Sequence, residues 1–371
     1  MAPITGLAIS LVLLLLQTAT LKYIGLLWPI KVPVFEYPSE FHQETVNGLI
    51  ERINETRITE QLQHLAGAFR HREYNSDTGE SFAVEIESLL RDTGVTVDIY
   101  HHGWRQPSLI AKIPGTQHTK VVVGCHLDSL NLVPFLSSPG VDDDLSGIVT
   151  LLEAIRILQQ NRWEFRQSLE FHFYAAEEPG LRGSLDILAS YTDIVAFLEQ
   201  DMTGFSAGSP PHFGVVEDYA SESLMNYVKQ LIETYCTIPY RNTRCGQICS
   251  DHSAALINGF PAVYVLESEL AASNPYIHTE RDTLEHIDVG QVAQHVRLVL
   301  AFAVETALME TVEARGDQFV QFKWTDIVVL SATSDTLRFV MACIILSCAV
   351  ANLVLVLRSG GHRNLFKLHE N

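Results

Sequence analysis

KVVVGCHLDS at residues 120–129, SLEFHFYAAEE at 168–178 and IVAFLEQD at 194–201 decide how this chain folds. Each is a short apolar run that stops on a residue able to hold a metal or move a proton: His126, then Glu177 and Glu178, then Asp201. Apolar runs of this length, bounded by polar turns, read as strands buried on both faces. Over Leu145–Gln160, Ile148, Leu151, Leu152, Ile155 and Leu158 recur at helical spacing. Strands alternating with helices predict an α/β protein with a mixed, mostly parallel central sheet flanked by helices. In such sheets, residues far apart in the chain converge beyond the carboxyl ends of the strands.

To the N-terminal side, Ser39–Leu90 reads as helical with a turn at Ser76–Gly79, and two strands follow at Val95–His101 and Ser108–Ile113. To the C-terminal side, Pro261–Leu266 fits a strand, and Glu222–Tyr235 and Val289–Val312 fit helices. The chain shows no internal repeat, and residues 39–315 read as one domain.

Two further segments bring acids and an imidazole. GVDDDLSG at 140–147 sets three aspartates ahead of a helix, and NPYIHTERDT at 274–283 carries His278 after the last strand. Singly, each has a plain explanation: a structural histidine, aspartates capping a helix, a solvated glutamate pair. Adjacent glutamates closing an apolar strand are harder to explain, because a buried carboxylate is costly unless it is hydrogen-bonded or binds metal. Together, at strand ends, these signals favour a metal centre. Carboxylates and imidazoles suit zinc, and one aspartate can bridge two metals ~3.5–4 Å apart.

A net charge of −19 with only 25 basic residues argues against a nucleic-acid partner, since neutralising phosphates takes clustered Lys and Arg. Pro3–Leu21 carries no charge and reads as part of a signal peptide or signal anchor spanning residues 1–38. Phe339–Leu357, bounded by Arg338 and Arg358, matches the ~20 residues that cross a bilayer. Arg358, Arg363 and Lys367 follow it, so the positive-inside rule puts the tail at 359–371 in the cytoplasm. A transmembrane helix at 338–358, preceded by a juxtamembrane segment at 316–337, then ties a lumenal or extracellular catalytic domain to a secretory-pathway or cell-surface membrane. Asn54 heads the sequon Asn54-Glu55-Thr56, which that compartment would make usable for glycosylation. Cys245 and Cys249 flank a short loop that can close as a disulfide where conditions are oxidising and stays as free thiols where they are not.

GCHLDS, PGVDDDLSG, YAAEEPGLRGS, LEQDMT, CGQICSDHSA and NPYIHTERDTL follow one another in an order that resembles the di-zinc aminopeptidases of metallopeptidase family 28, from about Gln61 to about Val312. The resemblance implies two zinc ions per chain. Asp143 would bridge them, His126 and Asp201 would complete one, and Glu178 and His278 the other. Glu177 would be the general base, taking a proton from a water shared by the metals, and Asp128 would orient His126. The family places a cis peptide between Asp143 and Asp144. Its side-chain pocket maps onto Met202, Tyr264, Leu266, Leu270 and Ile277, implying a bulky apolar first residue on a peptide with a free N-terminus. Where similar bacterial enzymes have a tyrosine in the cysteine loop, this chain has Gln247, a weaker donor toward a scissile carbonyl.

Three alternatives stand beside the aminopeptidase. A glutaminyl-peptide cyclotransferase shares the fold with one zinc, but its relatives vary around the glutamate pair and the aspartate loop. A non-catalytic membrane receptor would have no need of a complete ligand set. A carboxypeptidase or dipeptidase needs a cation for the substrate carboxylate, for which Arg182, Arg244 and Arg281 lie near the motifs.

Overall fold

In chain order β1 (Ile30–Phe35) leads into the helices α1 (Gln43–Ile50), α2 (Glu55–Ala68) and α3 (Asp77–Asp92). Then come β2 (Thr96–Tyr100), β3 (Ser108–Ile113), β4 (Lys120–His126), α4 (Gly147–Leu158), β5 (Ser168–Tyr174), α5 (Arg182–Leu188) and β6 (Ile194–Gln200). The remainder is β7 (Phe213–Val216), α6 (Glu222–Tyr235), β8 (Tyr240–Thr243), α7 (His252–Ile257), β9 (Ala262–Leu266), α8 (Val289–Ala307) and β10 (Ala314–Val320). These elements come from a computed structural model that describes residues 30–133, 135–206, 210–310 and 314–320. Lys31–Gln318 forms one compact unit, which takes in residues that the sequence reading left to the flanking segments.

The main sheet runs β2-β3-β5-β4-β6-β9-β7-β8, and β1 pairs with β10 in a separate ribbon. Its centre is parallel: β4 lies between β5 and β6, and β9 lies beside β6. Antiparallel pairs, β2 with β3, β3 with β5 and β7 with β9, occupy the flanks. The chain leaves β4 for β5 on one side and later reaches β6 on the other. That reversal opens a crevice at the carboxyl end of β4, the place where open α/β sheets bind ligands.

Side chains alternate across β4. Val121, Val123 and Cys125 join the apolar core beneath α4 and α8, while Val122 and Gly124 face the other side. Gly124 has to be glycine: a Cβ there would stand 2.6 Å from the buried Glu199 carboxyl and 2.9 Å from the Phe197 ring. The helix α4 is buried almost all round because α2, α3, α8 and the sheet enclose it. Its one buried acid, Glu153, is satisfied by Arg156 at 2.6 Å and by the Asn54 backbone N–H at 3.0 Å.

The long helical reading before the sheet breaks twice. Asn54 accepts the Arg57 N–H at 3.1 Å to start α2, and Ser76 accepts the Gly79 N–H at 3.0 Å to start α3. Short polar side chains of this kind take backbone donors and end one helix where the next begins. The N-terminal segment 1–29 and the candidate transmembrane run 338–358 lie outside the described residues. Among the described residues no helix is long and apolar enough to cross a membrane.

Candidate metal centre

His126 closes β4, and the glutamate pair and Asp201 follow the ends of its neighbours β5 and β6. His126 Nε2 lies 3.0 Å from Asp143 Oδ1 and 3.6 Å from Asp201 Oδ1. His278 Nε2 lies 3.1 Å from Asp143 Oδ2 and 2.9 Å from Glu178 Oε2. The five residues therefore form two groups that share Asp143, each with its donor atoms within 4.8 Å of one another.

The aspartate run sorts itself by hydrogen bonding. Asp142 accepts the Gly204 N–H at 2.9 Å and the Asn274 amide at 3.0 Å. Asp144 accepts the backbone N–H groups of His126 at 3.1 Å, Gly147 at 3.0 Å and Met202 at 3.2 Å. Only Asp143, between them, turns its carboxylate to both imidazoles. The Asp143–Asp144 peptide bond is cis, as the resemblance implied. Asp282 holds the run from outside by accepting the N–H of Asp142 at 3.0 Å and of Asp143 at 3.1 Å. Arg72, fully buried, donates to the carbonyls of Leu127 at 3.0 Å and Gly140 at 2.9 Å, and to that of Pro139. Arg72 and Asp282 thus support the loop, and nothing in the periodicity around Arg72 marks it.

The glutamate turn is fixed from beneath. Asp128 accepts the backbone N–H groups of Glu177 and Glu178, and its nearer oxygen lies 3.6 Å from His126 Nδ1. It therefore holds the glutamate turn by hydrogen bonds and faces His126 electrostatically. Ser108 accepts the Ala175 N–H at 2.9 Å, His102 lies 2.8 Å from Ser108, and Asp186 lies 2.8 Å from His102. This order looks like a serine hydrolase triad, but Ser108 is fully buried, so the series is a strut under the turn.

Burial alone would raise the Asp143 carboxyl, but His126 and His278 on either side hold it far below the usual carboxylate range. Burial also lowers an imidazole, yet Asp143 and Glu178 bring His278 up to about 11. Burial and the neighbouring Asp143 raise Glu178 to about 7. The two groups thus gather three carboxylates, Asp143, Glu178 and Asp201, around two imidazoles. Glu178 Oε1 and Asp201 Oδ1 are buried without a hydrogen-bond partner, an arrangement that costs stability unless a cation completes it. Oxygen and nitrogen donors in this number fit zinc.

Beside Asp201, Ser250 donates to its carboxylate at 2.7 Å and Tyr264 donates to its carbonyl at 3.2 Å. Tyr264 and Leu266 pack with Val216 against Cys245 and Cys249, which are joined as a disulfide. Met202 is buried, its carbonyl accepting the Glu267 N–H at 2.9 Å. Of the expected pocket residues, Tyr264 and Leu266 pack together, and Met202 reaches the segment after them through the Glu267 N–H. Leu270 is partly exposed, its N–H donated to Thr243 at 2.9 Å, Ile277 adjoins His278 in sequence, and Gln247 is exposed in the disulfide loop.

A mixed sheet with carboxylate–imidazole groups at the ends of its parallel strands defines an α/β protein with a candidate metal centre. The sequence model for Peptidase family M28 matches residues 108–303. Leucine aminopeptidase 1 of Coccidioides posadasii (strain C735) is 40% identical over 299 residues, covering 74% of this chain and 77% of its own. Among solved structures, the LapA aminopeptidase of Legionella pneumophila is similar at a TM-score of 0.70 and 29% identity, over 75% of this chain and 78% of its own. LapB of the same organism is similar at a TM-score of 0.69 and 30% identity, over 79% of this chain and 81% of its own. The chain belongs to peptidase family M28.

Proposed function

We propose that the chain is a zinc-dependent aminopeptidase that removes one bulky apolar residue from the free N-terminus of a peptide. The observation that carries this reading is the Asp143 carboxylate standing between His126 and His278, each of which also faces a second carboxylate. His126, Asp143 and Asp201 would hold one zinc, and Asp143, Glu178 and His278 a second. When bound, such a pair acidifies water, polarises a carbonyl and offsets negative charge as it develops.

Glu177 belongs to neither ligand group. Its part is to take the proton from the attacking water and return it to the leaving amine. Asp128 keeps Glu177 and Glu178 on a rigid turn, so that successive residues serve different ends. Met202 and Tyr264, both beside Asp201, would wall the pocket for the first side chain, with Leu266 fully buried. The surplus of carboxylates attracts a free α-amine. The three arginines near the motifs are engaged elsewhere: Arg244 with Glu217 at 3.5 Å, and Arg281 and Arg182 over the rings of Tyr276 and Tyr74. That supports an amine-directed over a carboxylate-directed exopeptidase.

The same reading puts the catalytic domain in the lumen of the secretory pathway or outside the cell, tethered by 338–358. The Cys245–Cys249 disulfide supports it, as does the exposure of Asn54. The Asn54 side-chain oxygen caps α2 and its amide nitrogen remains for a glycan.

Hydrolysis of leucine amide and of acetyl-leucine amide by the purified protein, with zinc counted per chain, tests the function. Only the free amine should be cleaved, with two zinc ions bound. Equal cleavage of the acetylated compound would sink the aminopeptidase, and a single zinc would sink the dinuclear site.

A further inference from the structure

Of the eight large hydrophobic residues exposed among the described residues, four fall in one loop: Leu132, Val133, Phe135 and Leu136, at 71, 55, 105 and 41%. Scattered apolar residues on a surface need no explanation, but four within five positions do. The loop is tied down on its inner side. Asn131 donates to the Ser137 carbonyl at 2.7 Å and accepts the Val133 N–H at 2.8 Å. Ser129 donates to the Ser138 carbonyl at 2.8 Å and accepts the Arg72 N–H at 3.0 Å. Its polar groups are spent on its own closure, and its apolar side chains are left to face outward.

Position gives this surface its meaning. The loop is bracketed in sequence by His126 and Asp143, and Leu132 donates its N–H to the carbonyl of His278 at 3.1 Å. It is therefore anchored to the ligand group of Glu178 and His278. The apolar wall of Met202 and Tyr264 is anchored to Asp201, in the other group. A peptide whose first side chain lies on the Asp201 side carries its next residue past the opposite rim.

We propose that Leu132, Val133, Phe135 and Leu136 form an apolar subsite for the side chain that follows the scissile bond, so that peptides with a large apolar second residue are preferred. This rests on the aminopeptidase reading. Burial against the loop gives the second side chain the desolvation that the open rim otherwise lacks.

The test compares zinc-loaded wild type with a Val133→Ser/Phe135→Asn double variant on leucine amide, Leu-Gly amide and Leu-Phe amide. Wild type should favour Leu-Phe amide over Leu-Gly amide. The variant should lose roughly 10-fold in kcat/KM on Leu-Phe amide, the scale of apolar pocket discrimination, and keep its rate on the other two. An equal loss on all three would make the loop a support of the metal site and overturn the proposal. So would an unchanged Leu-Phe rate, and sedimentation and flotation with phosphatidylcholine vesicles would then assign the surface to a second copy or a bilayer. Failure of wild type to cleave leucine amide would count against the aminopeptidase itself, a result distinct from failure of the loop.

Discussion

Asp128 accepts the backbone N–H of Glu177 at 2.9 Å, and its second oxygen accepts that of Glu178 at 3.2 Å. One carboxylate from the loop after β4 thereby sets the turn after β5, where the residue proposed to transfer the proton and the one proposed to hold metal stand side by side. The division of labour in the pair depends on this arrangement.

Glu177→Gln should keep zinc and lose proton transfer, with kcat falling roughly 10²-fold or more. Glu178→Gln should lose zinc from the group it shares with Asp143 and His278. Metal analysis of both purified variants beside leucine amide hydrolysis separates them. The reverse pattern would exchange the two roles.

Asp128→Asn replaces one acceptor oxygen with an amide that meets the N–H of its partner donor to donor. The turn should loosen, with kcat or zinc affinity falling roughly 10- to 100-fold, the scale seen when groups that orient metal ligands are changed. Titration with a competing chelator and steady-state kinetics measure the two effects, and wild-type values for both would remove Asp128 from the site's support.

Away from the centre, Glu170 lies in β5 beside His172 at 3.0 Å and accepts from Tyr191 at 2.7 Å. Burial would raise its carboxyl, but the hydrogen bonds from His172 and Tyr191, with Lys112 nearby, hold it at about 2. A depressed folded value contributes stability above the ordinary 4.5, and that contribution is lost as pH falls from there toward 2. Metal-free wild type should exceed metal-free Glu170→Gln by roughly 1–3 kcal/mol at neutral pH, a gap that closes as the solution is acidified through this window. Urea unfolding at a series of pH values reads it, and a gap independent of pH would refute the assignment.

Microsomes carrying the full chain should protect residues 39–315 from added protease while the tail at 359–371 is trimmed, because the basic residues follow the apolar run. Cleavage of the catalytic domain with an intact tail would reverse the topology. Alkylation without reduction should leave Cys245 and Cys249 unmodified.

The strand ends were legible because an apolar run that stops on a ligand carries both fold and chemistry in one stretch, as His126 and Asp201 do. The choice of Asp143 among three aspartates was not legible in the residues alone; it came from the resemblance. The partners that occupy Asp142 and Asp144 include Met202 and Gly204, more than fifty positions away, and Asn274, more than a hundred away. The strands β7 and β8 escaped because four residues at a sheet edge hold too little pattern, and α5 and α7 are too short for helical periodicity to declare itself. The ribbon of β1 and β10 joins the end of the stretch at 1–38, which reads as a signal peptide or signal anchor, to the boundary between the domain and the juxtamembrane segment at 316–337.

Arg72 lies outside the matched span at 108–303, yet its guanidinium grips the carbonyls that frame the aspartate loop. The span that the family model matches is consequently smaller than the unit that holds the aspartate loop. A fragment trimmed to that span would keep all five candidate ligands and Glu177 but lose the cation around which the aspartate loop is wound. Transplanting this active site onto another scaffold would require carrying along the connection between α2 and α3, a segment whose own sequence betrays no chemistry.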